Sequence, residues 1–165
     1  MKLAQKLSPC LWFDDQAEAA VQLYTSTFPN STIGTVTRYT EAGQEIHGHE
    51  AGTVLTVQFE LDGQPFMALN GGPMFKFTEA VSFQVFCETQ EEVDYYWEKL
   101  TDGGDEDSQQ CGWLKDKFGL SWQVVPTVWM DIVTDPDTEK VMKATDAMMG
   151  MKKLDIAKLQ EAFNS

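Results

Sequence analysis

A chain of 165 residues with 42% hydrophobic and 23% charged residues is long enough to bury a core, and it reads as one globular domain. Its net charge of −14 repels phosphate backbones and anionic lipid, which argues against nucleic-acid and membrane partners. No apolar run approaches the roughly 20 residues of a membrane span. The N-terminal MKLAQKLSPC lacks the sustained apolar segment of a signal peptide, so a cytoplasmic protein is expected.

In chain order, Leu7 to Phe13 is an apolar run suited to a strand, and Asp14-Asp15-Gln16 offers a turn and helix N-cap. Ala17, Ala20, Val21, Tyr24 and Phe28 follow at helical spacing until Pro29-Asn30. Ser31 to Tyr39 reads as a β-branched strand and Thr40 to Gly52 as a polar loop. Thr53 to Leu61 alternates, with Leu55, Val57, Phe59 and Leu61 on one face and Val54, Thr56, Gln58 and Glu60 on the other. Asp62-Gly63 is a hairpin signal, Gln64 to Asn70 the returning strand, and Gly71-Gly72-Pro73 its end.

The pattern then recurs. Val81 to Cys87 is a strand, and Thr89 caps a helix over Gln90 to Leu100 that buries Val93, Tyr96, Trp97 and Leu100. This helix repeats the first at an offset of 76 residues, with Ala17, Ala20, Val21 and Tyr24 matching Val93, Tyr96, Trp97 and Leu100. Thr101 to Asp107 reads as an acidic loop, and Cys111 to Lys117 with Leu120 to Val125 as a closing hairpin. Beyond Pro126, a helix opened by Asp135-Pro136-Asp137 runs to about Met149, Gly150 ends it, and Asp155 to Phe163 forms another. Their methionines are read as packing rather than as a cofactor site. The cysteines Cys10, Cys87 and Cys111 have neither metal-ligand nor redox spacing; Cys10 and Cys87 read as buried reduced thiols.

Four segments, LWFDDQAEAAVQLYTSTFPNS, FELDGQPFMALNGGPMFKF, VSFQVFCETQEEVDYYWEKL and CGWLKDKFGLSWQVVP, together carry a family resemblance. Over Leu7 to Pro126 the chain resembles the vicinal oxygen chelate superfamily of glyoxalase, bleomycin-resistance and dioxygenase proteins. Within it, the chain is similar to the PhnB-like branch, often labelled as a 3-demethylubiquinone-9 3-methyltransferase domain. The tail MMGMKKLDIAKLQEAF looks like that of the same branch. The resemblance implies an α+β fold of two βαβββ modules, about 1–73 and 74–126, curved around a cavity, with a helical extension over 127–165 packed on the same domain or on a partner. It also implies a homodimer.

Metal-dependent members place His, Glu or Gln ligands on particular strands. Carried over, those positions fall on Pro9, Ala68, Ala80 or a neighbour, and Gln123. Only Gln123 offers a donor, and one neutral ligand cannot hold a divalent ion against water, so no metal is expected there. His47-Gly48-His49-Glu50 reads as a polar surface loop, and it holds both histidines of the chain. No Gly-rich loop opens a helix after an early strand, so no adenosylmethionine site or other cofactor is expected.

If Gln123 faces a pocket, alternation brings Ser121 and Val125 with it, together with Ser82, Gln84 and Phe86, with Thr56, Gln58 and Glu60, and with Phe66, Ala68 and Asn70. The candidate ligand-binding residues are Gln58, Asn70, Ser82, Gln84, Trp113 and Gln123. Glu60 is the one inward carboxylate among them, a weak candidate for a general base. The expected function is metal-free binding of a small organic molecule, for which the acidic surface suggests a cation. The rivals are an enzyme of the superfamily, a lyase, an isomerase or the named methyltransferase, and a dimeric scaffold without a ligand.

Overall fold

The computed structural model describes residues 6–165. Residues 1–5, part of the stretch read as lacking a signal peptide, lie outside the described residues. The chain forms two compact units, Met1–Lys76 and Phe77–Ser165.

The first unit contains β1 (Cys10–Phe13), α1 (Ala17–Thr27), β2 (Thr32–Arg38), the single turn α2 (Gln44–His47), β3 (Val54–Leu61) and β4 (Gln64–Asn70). Its four strands pair in the order β1-β4-β3-β2, with β1 parallel to β4 and the rest antiparallel. Asp62 and Gly63 both take positive φ, 47° and 74°, as the tight β3–β4 turn requires. Leu11, Phe13, Val57, Phe59, Phe66 and Ala68 are buried on the face that α1 covers. There the Tyr24 ring lies 6.5 Å from Phe59, which stacks on Phe66.

Cys10 departs from the sequence reading: it is exposed. Strand alternation places it opposite Leu11 and Phe13, so an apolar neighbourhood in sequence did not mean burial.

The second unit contains β5 (Ser82–Cys87), α3 (Gln90–Thr101), β6 (Asp105–Gln110), β7 (Trp113–Lys115) and β8 (Ser121–Pro126), followed by α4 (Thr127–Val133), α5 (Thr138–Met149) and α6 (Ile156–Asn164). Its sheet order, β5-β8-β7-β6, repeats that of the first unit strand for strand. Val85, Cys87, Trp122 and Val124 are buried beneath α3, whose Val93 and Leu100 are buried as well.

Three local readings change here. The stretch read as an acidic loop, Thr101 to Asp107, runs into β6, a largely exposed edge strand of sequence DEDSQQ that begins at Asp105. Its poor strand propensity hid it, while its charge suits an edge that must not pair with another chain. Cys111 is a turn residue rather than part of a strand: Cys111 and Gly112 take positive φ, 52° and 84°, between the paired Gln110 and Trp113. The helix α4 has no side-chain cap at its start, so nothing local announced it.

The C-terminal helices dock on the second unit of the same chain. The backbone N–H groups of Cys111 and Gly112 donate to the carbonyls of Met151 and Lys152, both at 2.8 Å. Gln90 donates to the Leu154 carbonyl at 3.2 Å and accepts from the Ile156 N–H at 2.9 Å. Ile132, Ala144, Leu154 and Leu159 form a buried cluster with Met148, Met151 and Phe163 packed against it, whereas Met142 and Met149 are exposed.

Candidate functional site

The face of the second sheet opposite α3 carries a grid of side chains. Register pairs Gln84 with Gln123 and Gln123 with Trp113, so these three sit side by side across β5, β8 and β7. One step back, Ser82, Ser121 and Lys115 form the neighbouring row. Four of the candidate residues, Ser82, Gln84, Trp113 and Gln123, are thus brought together. The Gln123 amide donates to Ser82 Oγ at 2.8 Å and accepts from Gln84 Nε2 at a longer 3.4 Å. Gln84 and Phe86 are exposed, whereas Gln123 and Trp113 are half-buried. The Ser121 hydroxyl is buried and is the one side-chain polar atom in that state without a hydrogen-bond partner among the described residues.

The loop that carries this face into position is held by Asp116, a residue that sequence reasoning missed. It is 2% exposed. Its Oδ1 accepts from the N–H groups of Phe118 and Leu120, at 2.8 and 3.1 Å, and its Oδ2 accepts from the Trp122 indole at 2.9 Å. One carboxylate therefore closes the β7–β8 loop and orients the Trp between Ser121 and Gln123. The signal available was an Asp three residues before a Gly and six before a Trp in a tight loop.

The other two candidates lie in the first unit. Gln58 is on the open face of its sheet, beside Met67 on β4. Asn70 is a correction. It is 6% exposed, on the face covered by α1; its Oδ1 accepts from the Ala17 N–H at 2.8 Å, and its Nδ2 donates to the Val54 carbonyl at 3.1 Å. Asn70 thus caps α1 from across the sheet. The local Asp14-Asp15-Gln16 segment supplies no side-chain cap. Phe66 and Ala68 share the α1-facing side of β4, so the open-face residues of that strand are Pro65, Met67 and Leu69. The β4 alternation expected from sequence was displaced by one residue, which inverts every side chain of a strand.

The metal positions are consequently poorer than the sequence alone suggested. Ala68 is fully buried against α1, and its open-face neighbours Met67 and Leu69 offer only a thioether and an alkyl group. No group of three or more His, Cys, Asp or Glu side chains converges among the described residues. His47 and His49 pack against Tyr39, with ring centroids 4.6 and 4.4 Å away, and His47 Nδ1 accepts from the His49 N–H at 3.1 Å. Glu60 is exposed. These donors do not fit a resident divalent ion at the strand positions carried over from the superfamily.

Two surface cavities of about 450 and 430 Å³ lie elsewhere in the second unit. The larger is lined by α4 and α6 residues including Ile132, Asp131 and Phe163. The smaller lies between the start of α3 and the start of α6.

The family described as 3-demethylubiquinone-9 3-methyltransferase matches residues 5–125. The chain belongs to this family. Within it, the chain is PhnB-like. A PhnB protein from Bacillus cereus is 38% identical, covers 74% of this chain and 99% of its own, and superposes with a TM-score of 0.64. Protein PA1353 from Pseudomonas aeruginosa, 16% identical over 74% of this chain and 98% of its own, has a TM-score of 0.57. The fosfomycin resistance protein FosX from Mesorhizobium loti, 11% identical over 86% of this chain and 99% of its own, has a TM-score of 0.50. These last two show a shared fold. No curated protein matches the sequence significantly. The family match ends at residue 125, before α4, α5 and α6.

Proposed function

We propose that this family member binds a small organic molecule on the open face of its second sheet, without a resident metal. The observation that carries this reading is the Ser82–Gln123–Gln84 amide chain beside Trp113. An amide fixed by its neighbours and flanked by an indole supplies directional hydrogen bonds next to a flat apolar surface, the usual composition of a small-molecule site. A single neutral oxygen at Gln123 favours this role over metal ligation.

The family description names a methyl transfer. The strand-to-helix links, Asp14-Asp15-Gln16 and Glu88-Thr89, contain no glycine, so neither makes the backbone cradle that a nucleotide-like cofactor uses. We therefore favour ligand binding over transfer. A homodimeric cytoplasmic protein accords with this reading. Exposed Val81 and Phe86 of the second unit would serve self-association, and no helix of the described residues is long and apolar enough to cross a membrane.

A fragment screen by thermal shift, with hits mapped by amide chemical shifts, tests the proposal. Hits should move the signals of Ser82, Gln84, Trp113 and Gln123, and Gln123→Ala should weaken them about tenfold. Hits that map only to the α4–α6 cavity would overturn it, as would stoichiometric zinc or nickel that requires Gln123.

A further inference from the structure

The row next to Gln123 holds three facts that point to a ligand class. Ser121 is 1% exposed, and its hydroxyl has no hydrogen-bond partner. It stands between Ser82 and Lys115 in the sheet register. Lys115, with a side chain 24% exposed, is ion-paired to Glu79, which is 63% exposed on the segment leading into β5. A carboxylate from the chain itself thus already sits on the Lys115 ammonium. The residue paired with Lys115 on β6 is Asp105, whose Oδ1 turns back to accept from the Asp107 N–H at 3.0 Å.

We propose that Ser121 and Lys115 receive the carboxylate of a small organic acid, which takes the place of Glu79. The proposal rests on the second-sheet site described above and names its ligand class. Ser121 Oγ–H donates to one carboxylate oxygen, and the Lys115 ammonium donates to the other. Ser82, whose oxygen accepts from Gln123, keeps its own proton available for the same group. Trp113, one row away, flanks the body of the molecule. The incoming carboxylate takes over the pairing that Glu79 gives Lys115, so the contact with the ammonium must outweigh the repulsion of the chain's net charge of −14. An amine would instead have to compete with Lys115 for Glu79. The cation suggested by overall charge is therefore replaced by an anion on local grounds: Lys115 is register partner to the residue that carries the one unpartnered buried hydroxyl among the described residues.

Benzoate, benzamide and benzylamine form a matched probe set of equal size and different charge. Each is titrated into the ¹⁵N-labelled full-length protein, with amide shifts as readout. Benzoate should move Ser82, Lys115 and Ser121 and bind about tenfold tighter than benzamide. Lys115→Met and Ser121→Ala should each weaken benzoate about tenfold. Ser121→Ala loses no existing hydrogen bond and should keep the fold, which an unchanged urea midpoint checks. Glu79→Gln should tighten benzoate by removing the competitor, a change that a purely structural ion pair would not produce. Equal binding of benzamide, or preference for benzylamine, overturns the carboxylate assignment while leaving the binding face intact. No shift at these three residues with any probe also overturns it, and the broader fragment screen then judges the binding face separately.

Discussion

The two units have the same strand order but different open faces. In the first sheet the face away from α1 centres on Pro65, Met67 and Leu69 of β4, flanked by Cys10 and Trp12. In the second, the equivalent strand β8 places Gln123, half-buried, and the buried Ser121 and Val125 on that side, flanked by Gln84, Trp113 and Lys115. Helix capping differs as well. Thr89 caps α3 locally, accepting from the Glu92 N–H, whereas α1 is capped by Asn70 from a strand 53 residues away. One topology therefore carries an open face that is apolar on β1 and β4 and polar only on β3, at Thr56, Gln58 and Glu60, and another whose central strand is itself polar. Chemistry resides in the identity of the open-face residues, while the covered faces of both sheets are alike.

Several experiments break or sharpen this contrast. The largest difference expected is in thiol reactivity. Cys10 lies on the open face of the first sheet, and Cys87 lies on the covered face of the second. Burial, aided by the Glu92 charge, pushes the Cys87 thiol up to about 12, which starves it of thiolate at neutral pH. Iodoacetamide labelling followed by mass spectrometry should modify Cys10 at least about 100-fold faster than Cys87, which reacts only on unfolding. Comparable rates would mean that the covered face is open.

Next come the two polar residues that hold the sheets' architecture. Asp116→Ala strands the Trp122 indole and two backbone N–H groups and should cost about 3 kcal/mol in urea denaturation. Asn70→Ala strands the Ala17 N–H and the Val54 carbonyl and should cost about 2 kcal/mol. A loss below about 0.5 kcal/mol for either would show that water replaces it. Gln123→Ala serves as the contrast: its amide is part of an open face, and it should cost under about 1 kcal/mol while weakening ligands.

The smallest effect is acid release of the C-terminal helices from the second unit. The Lys153 ammonium, followed by the Gln90 amide, holds the Asp94 carboxyl below its ordinary range, and the Lys158 N–H does the same for Asp155 at the start of α6. Both carboxyls have lower values folded than unfolded. Their stabilisation is complete above the ordinary carboxylate range and is lost as pH falls through the depressed folded values. Being exposed pairs, they should contribute less than about 1 kcal/mol together. Hydrogen exchange should show α6 protection falling below about pH 4 while the sheets keep theirs. Protection unchanged to pH 2 would remove these carboxylates from the docking.

Much of this was legible in the chain. The 76-residue offset between the helices, the Asp62-Gly63 turn, the Thr89 cap and the β8 alternation are local patterns, and each formed as its residues dictate. They sufficed to place Ser82, Gln84 and Gln123 on one face. Asn70 and Cys10 were misread because their roles depend on which way a strand faces and on what crosses over it. The same Asn could line an open face or cap a helix, and a two-residue period gives the alternation without its sign.

The sequence by itself determined the repeated strand–helix–strand pattern and the family, since propensity and turn chemistry are carried by the residues themselves. Only the tertiary structure decided that Asn70 is spent on α1, that Asp116 locks the loop before Gln123, and that Ser121 stands buried without a partner beside Lys115. Those are outcomes of long-range pairing, where register and burial choose which polar groups are satisfied within the fold and which are not.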